Sequence, residues 1–448
     1  MATYSCEASL KNTLSRHAPD QGAPFKLLIA AIAVAALAGC STIAPAPFSS
    51  QSLAPANQAD RQAIREGVEP LTGVLTLDEA MARALKHNLD RRSRMMEEAL
   101  AMNQLDVSKF DMLPKMLASA GYNWRSNDRI SQSRNSDNGN LSPSNFISQD
   151  RDHGVAGLDF SWSLIDLGLG YYGSKQQADR VLIAGERRRK AMHLLMQDVR
   201  TAYWRAAAAQ KLRDQVRGAI SLADEALSDS RTAEAERVRN PLDALRYQRQ
   251  LLENLRLLEA ISQELSSAQV ELASLINLPL GQPIVVADQA SDSRAIDESA
   301  LKLPIETLEE AALTNNADLR ESHYNARIAR IETRRTLARL MPNVTLNAGT
   351  KYDSDSYLVN PNWQEAGLQV SFNLFNLFTG PTQMKLAQAG VALADQRRMA
   401  MQMGVLTQMH LARLSLLNAR AQFERADAIF GVDNKIADMV KNRESAQT

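Results

Sequence analysis

Residues 156–164 read Ala-Gly-Leu-Asp-Phe-Ser-Trp-Ser-Leu. Ala156, Leu158, Phe160, Trp162 and Leu164 fall on one side of an extended chain. Gly157, Asp159, Ser161 and Ser163 fall on the other, because successive side chains of a strand point to opposite faces. A segment of about ten residues with this alternation suits a transmembrane β-barrel. It equally suits a half-buried antiparallel sheet with one wet face, and the alternation alone leaves both open.

The segment recurs. A shift of 210 residues carries Gly157, Leu158, Leu164, Lys175, Arg187 and Arg188 onto Gly367, Leu368, Leu374, Lys385, Arg397 and Arg398. A shift of 228 carries Leu85, Asn88, Pro114 and Gly121 onto Leu313, Asn316, Pro342 and Gly349. The chain is therefore read as two copies of one unit, and the difference of 18 residues as a longer polar loop in the first. Upstream of each returning strand lies a partner: Met116, Ala118, Ala120, Tyr122 and Trp124 share one face, as do Val344, Leu346 and Ala348. In the second copy Leu368, Val370, Phe372 and Leu374 oppose Gln369, Ser371 and Asn373. The Ser-, Asn- and Asp-rich stretch 125–152 and residues 353–363 are the connecting loops.

Helices flank the strands. Thr76 and Glu79 form a capping box for a helix read as Leu77 to Leu113, ending before Pro114. After the strands, residues 174–277 contain only Gly185, Gly218 and Pro241 as helix breakers, so a long helix towards Arg237 and a second from Pro241 to Asn277 are expected. In the second, Leu251, Leu258, Leu265 and Leu272 recur every seven residues with Ile261, Ala268 and Leu275 between them, a coiled-coil seam. Such a seam also suits any long antiparallel helical hairpin.

Near the N-terminus, Leu27 to Ala38 is a 12-residue apolar run behind Arg16 and Lys26. It is too short to span a bilayer and reads as a signal-peptide core. The Leu37-Ala38-Gly39-Cys40 that closes it resembles a bacterial lipobox, which implies a lipid on Cys40 as the first mature residue. Ser41 after it favours the outer membrane by the same resemblance. Cys6 lies in the leader, so the mature chain has no disulfide pair or thiol cluster. The expected division is 1–39 signal peptide, 40–74 linker, 75–286 first repeat, 287–303 inter-repeat linker and 304–448 second repeat.

Composition narrows the function. The 51 Lys plus Arg balance 51 Asp plus Glu, which removes the electrostatic footprint of a nucleic-acid binder. Gly168-Leu169-Gly170-Tyr171-Tyr172-Gly173 spells GxGxxG, but it follows an alternating strand and only Gly380 repeats Gly170, so it is read as a strand-to-helix turn rather than a dinucleotide site. The six histidines show no metal-ligand spacing. The run Glu186-Arg187-Arg188-Arg189-Lys190 is read as the solvated face of a helix. No cofactor is expected beyond the lipid on Cys40, and no catalytic residue is assigned.

Four strands cannot close a barrel in lipid, since an open edge leaves backbone groups unsatisfied; three copies would supply twelve.

These residues resemble the TolC family of outer-membrane factors, in its lipid-anchored branch. The resemblance rests on the duplication, on Leu75-Thr76-Leu77-Asp78-Glu79-Ala80 with Ala84-Leu85 and Asn88, and on the proline entries at Pro114 and Pro342. It also rests on Trp162-Ser163-Leu164-Ile165-Asp166-Leu167-Gly168 and on Val199-Arg200-Thr201-Ala202-Tyr203-Trp204, and it covers the chain from about Gly73 onward. It implies a mainly α protein with a small β part: long coiled-coil hairpins forming a periplasmic α-barrel, and four strands per subunit of a trimeric β-barrel. The implied role is a non-enzymatic exit duct in the outer membrane for a tripartite efflux pump or type I secretion system. The implied partners are a periplasmic adaptor and an inner-membrane transporter. Leu158, Phe160, Trp162, Leu368, Val370 and Phe372 would face lipid, with Asp166, Gly168 and Gly380 at the strand-to-helix turns. A lipid-anchored periplasmic coiled-coil adaptor is the alternative, although the Gly- and Val-rich β-domain expected between its helices is missing. The 210 shift also sets Thr448 opposite Val238, so the second repeat is expected to lack its returning helix, which would leave a poorly assembling channel remnant.

Overall fold

A computed structural model describes residues 46–236, 240–287 and 299–447. The leader, Cys40 and most of the inter-repeat linker lie outside the described residues. Two compact units divide at Glu66 and Gly67. The first contributes helix α1 (Ser50–Arg65), capped by Ser49, whose hydroxyl accepts from the Ser52 amide.

The second unit holds both repeats. Its elements run α2 (Leu77–His87), α3 (Leu89–Phe110), β1 (Lys115–Trp124), β2 (Ile130–Ser131), β3 (Phe146–Ile147), β4 (Asp152–Ser163), α4 (Leu164–Ala235) and α5 (Pro241–Leu275). The second repeat follows with α6 (Ser299–Lys302), α7 (Ile305–Asn315), α8 (Ala317–Arg339), β5 (Asn343–Asp353), β6 (Asn362–Ser371) and α9 (Asn376–Gln447). Long helices, one four-stranded sheet and a two-stranded hairpin make up this unit, and the long helical part with a small sheet part is what the sequence leads one to expect. No described helix is long and apolar enough to cross a membrane.

The helix expected from Leu77 to Leu113 is instead two helices joined at Asn88. Asn88 has ψ 127°, which breaks the helix, yet its amide still bonds to Ala84 O and its side chain caps the next helix at the Arg91 amide. Asn316, its repeat counterpart, does the same between α7 and α8, with ψ 127° and a cap to the Leu319 amide. A short side chain that competes for backbone amides favours a cap over a helix interior, which is why asparagine occupies both joints.

The core of the second unit lies where α4 and α5 pack. Ala202, Ala206 and Ala209 on α4 meet Ala268, Leu272 and Ala273 on α5, small residues that let the helices approach. The chain entering the first repeat pairs here with the chain leaving it: Leu75 donates to Val285 O and accepts from the Ala287 amide, both at 2.8 Å. Two α4 side chains hold this short parallel bridge. Tyr203, fully buried, donates its hydroxyl to Leu75 O at 3.3 Å and Ala287 O at 3.4 Å. Gln210 stands in for a missing strand, donating to Val286 O at 3.0 Å and accepting from the Val286 amide at 2.8 Å. Beyond α5, Asn277 at φ 54° ends the helix, with Leu278 donating back to Ala273 O, so the last carbonyls are satisfied.

Candidate functional site

The sheet is antiparallel throughout, ordered β1-β4-β5-β6, and its central seam β4–β5 joins the two repeats. Paired residues share a face, so the register fixes two surfaces. One carries Met116, Ala118 and Ala120 of β1, then Leu158, Phe160 and Trp162, then Leu346 and Ala348, then Leu368 and Val370. Leu368 and Val370 are 70% and 66% exposed, Met116 67% and Leu158 42%. The opposite surface carries Ser119, Gly121, Asp159, Ser161, Asn347, Gly349, Lys351, Glu365 and Gln369, along with Leu117 and Trp363. Across it, Lys351 pairs with Asp159 and lies 3.9 Å from Glu365. Gly349 is needed here, because a Cβ would sit 2.9 Å from Asp159 Oδ1 and 3.2 Å from Leu158 O.

At the loop end the repeats are stitched together by polar contacts. Gly154 donates to Ser354 Oγ, His153 Nδ1 lies 2.6 Å from Asp353 Oδ1, and the Ser356 hydroxyl donates to Asp150 at 2.9 Å. The Ser356 backbone amide, followed by its hydroxyl, holds the Asp150 carboxyl below the usual carboxylate range. Between the strands the first loop folds a small β2–β3 hairpin of its own.

At the other end of the sheet β4 passes straight into helix, whereas residues 372–375 separate β6 from α9. Ser163 caps α4 by accepting from the Asp166 amide at 3.1 Å, and its hydroxyl donates to Asn343 Oδ1 of the second repeat at 2.8 Å. The turn expected at Asp166 and Gly168 is therefore absent: Asp166 lies in the first turn of α4 and Gly168 within it, while Gly380 lies inside α9. Helix starts about ten residues sooner than expected because isolated glycines lower helix stability without ending it. Gly170 has a packing reason, since a Cβ there would meet the Asp111 backbone and Met112 at 3.0 Å. Phe372 also departs from expectation, falling just beyond the end of β6.

Below the sheet, α4 and α8 run antiparallel and are joined by a ladder of polar pairs. Gln176 donates to Glu332 at 2.7 Å, Arg327 grips Asp179 bidentately, and Arg320 meets Glu186 at 2.9 Å. Arg187 reaches Glu321 at 2.7 Å and Lys190 reaches Asp318 at 2.8 Å. Arg188 pairs with Glu98 of α3, and Arg189 donates to Asn315 O. The charged run expected on a solvated face is thus the seam between repeats. Its partners in the second repeat lie some 130 residues away and Glu98 some 90, beyond the reach of local charge patterning. Hydrogen bonds to Glu321 and Asp179 raise the pKa values of Arg187 and Arg327. Arg320 is raised by Tyr324 first and Glu186 second.

No family model matches the sequence, and no curated protein does. Solved structures do. The Campylobacter jejuni CmeC outer membrane channel is 14% identical with a TM-score of 0.61, covering 90% of this chain and 84% of its own. A Pseudomonas aeruginosa membrane protein is 15% identical at 0.57, covering 83% and 84%. The open-state Neisseria gonorrhoeae MtrE outer membrane channel is 16% identical at 0.53, covering 78% and 74%. This chain has the fold of the TolC family.

In this TolC fold the sheet and the ladder join the two repeats among the described residues. Among the described residues no group of His, Cys, Asp or Glu is arranged to hold a metal ion. The ladder supplies a stability prediction that distinguishes its two ends. Asp179 is 3% exposed, whereas the Arg327 side chain is half exposed. Arg327→Ala leaves a buried carboxylate without its donor and is expected to cost about 1–3 kcal/mol. Asp179→Ala leaves an arginine that can turn to water and is expected to cost no more than about 1 kcal/mol. Urea titrations of the two variants check the order, and equal losses would refute it.

Proposed function

We propose that three copies of this chain close one twelve-stranded barrel in the bacterial outer membrane and that their helices form a duct through the periplasm. On this reading the protein is the passive exit channel of a tripartite efflux pump, taking its cargo from an inner-membrane transporter through a periplasmic adaptor. The same duct suits type I secretion. Cys40 is the lipid anchor, on the strength of Leu37-Ala38-Gly39-Cys40.

One observation carries the proposal. The apolar face of the sheet, from Met116 through Leu158 to Leu368 and Val370, has no described element packed over it, and the reverse face bears the Asp159, Lys351 and Glu365 charges. A soluble sheet covers its apolar face with a second layer; a barrel strand gives that face to lipid and the polar one to a water-filled lumen.

Detergent-purified protein added to a planar bilayer tests this. The expected result is discrete ion conductance from particles with the mass of three copies. A single-copy particle without conductance would instead favour the lipid-anchored adaptor.

A further inference from the structure

The two sequence shifts predict strand pairing residue by residue. Carrying the observed pair Lys115↔Ser161 by 228 and 210 residues gives Asn343↔Ser371, which is observed; carrying Trp124↔Asp152 gives Tyr352↔Asn362, also observed. The whole β1–β4 register reappears as the β5–β6 register without a slip. The repeats are thus equivalent in hydrogen-bond register as well as in sequence, and the β4–β5 seam is one repeat meeting the next. β6 and β1 are left as the free edges of the sheet.

Resting on the reading of three copies in one barrel, we infer that β6 of each copy pairs with β1 of the next in the register obtained by carrying the β4–β5 seam through the same shifts. Phe160↔Ala348 becomes Val370 against Ala120 of the next copy, and Ser161↔Asn347 becomes Ser371 against Ser119. Leu158↔Thr350 becomes Leu368 against Tyr122, and Val155↔Asp353 becomes Glu365 against Arg125.

Three properties of the free edges agree. Val370, Leu368, Ala120 and Tyr122 all lie on the apolar face, so closure keeps the faces in phase; a slip of one residue would invert one strand. Glu365 meets Arg125, opposite charges set directly across from one another. Gly121 faces Gln369 as Gly349 faces Asp159, so the long side chain again lies over a glycine.

The helices follow the same operation, with a change of chemistry. The α4–α8 ladder carries over to α9 against α3 of the next copy. Gln176 beside Ile328 becomes Leu386 beside Leu100, and Asp179 with Arg327 becomes Ala389 with Ala99. Lys190 with Asp318 becomes Ala400 with Asp90. Leu386 and Leu100 are 74% and 57% exposed in the single chain, and the seam between copies would cover both. The join inside a chain is charged along its length, whereas the join between chains is apolar at its sheet end, at Leu386, Leu100, Ala389 and Ala99, and further down carries charges without opposite partners at Arg92, Arg397 and Asp90. Side chains exposed before assembly are then the ones that gain most from leaving water.

Paired cysteines test the register. Val370→Cys with Ala120→Cys and Ser371→Cys with Ser119→Cys occupy consecutive register positions, one of each bonding type. Val370→Cys with Tyr122→Cys is the slipped control, displaced by about 7 Å along the strand and beyond disulfide reach. Oxidation of the detergent-purified protein is expected to give covalent dimers and a closed trimer from at least one in-register pair. The slipped control should stay at the background of the parent chain. Leu386→Cys with Leu100→Cys should cross-link too, reporting the helical seam. A particle of three copies in which the slipped pair links best, or neither in-register pair links, overturns the sheet register alone. Such a particle without the Leu386–Leu100 link overturns the helical seam. A single-copy particle overturns both this inference and the channel reading.

Discussion

Arginine in place of Phe160 or Val370 is expected to lower the yield of assembled channel, at a cost between the about 2–4 kcal/mol of a bilayer-midplane site and the about 0–1 kcal/mol of an interfacial one. Phe160 sits between Met116 and Ala348 in the register and Val370 pairs with Val344, so both lie on the apolar face, one pair in from the helix-proximal end of the β1–β4 and β5–β6 ladders. Arginine one residue along, at Ser161 or Ser371, enters the face of Asp159 and Lys351, where water solvates it. The measurement is the yield of trimer extracted from membranes for the four variants side by side. A conventional soluble sheet would show a much weaker contrast, since an exposed arginine costs little in water. Equal yields at all four positions would therefore refute the membrane-facing assignment of Phe160 and Val370.

Tyr203→Ala is expected to cost about 3–5 kcal/mol, the usual range for removing a fully buried aromatic. The ring lies in the α4–α5 core, packs edge-on against Trp204 at 5.6 Å, and supports the Leu75–Val286 bridge from beneath. Tyr203→Phe keeps the ring and loses only the hydroxyl. Leu75 O retains the Ala287 amide as donor, so this change is expected to cost about 0.5–1.5 kcal/mol. Urea unfolding followed by circular dichroism separates the two variants. Equal losses would mean that the hydroxyl, rather than the packed ring, holds the bridge.

The strands were legible because period-two alternation survives in short segments such as 156–164, and the duplication because matched residues such as Gly121 and Gly349 hold the same register position, opposite Val155 and Glu365. The heptad leucines of α5 also place the seam that packs: Leu272 and Ala268 are fully buried. Three features were hidden for separate physical reasons. The joint at Asn88 interrupts one helix without interrupting its apolar spacing, and only the recurrence at Asn316 marked it. The glycines 168, 170 and 173 resemble a turn in sequence, yet Ser163 supplies a cap that starts the helix ahead of them. The charges at 186–190 were read as solvated because most of their partners are brought in by the second repeat and one, Glu98, by α3, and no local pattern encodes a contact between residues so far apart in the chain.

The direct passage from Ser163 into α4 has one more consequence. Each residue of a helix turns the following ones by about 100°, and no loop lies between β4 and the Asp179, Glu186 and Arg187 rungs to absorb an extra residue. One inserted residue anywhere from Leu164 to Gln176 would swing every rung a quarter turn off α8 while leaving the sheet intact. The first repeat, by contrast, accommodates 18 additional residues between β1 and β4 with every strand pair still in step with the second. Length in this molecule is tightly metered along its helices and almost unconstrained at the loop tips, so insertions found in natural variants should collect at 125–151 and 354–361 and be missing from the first turns of α4.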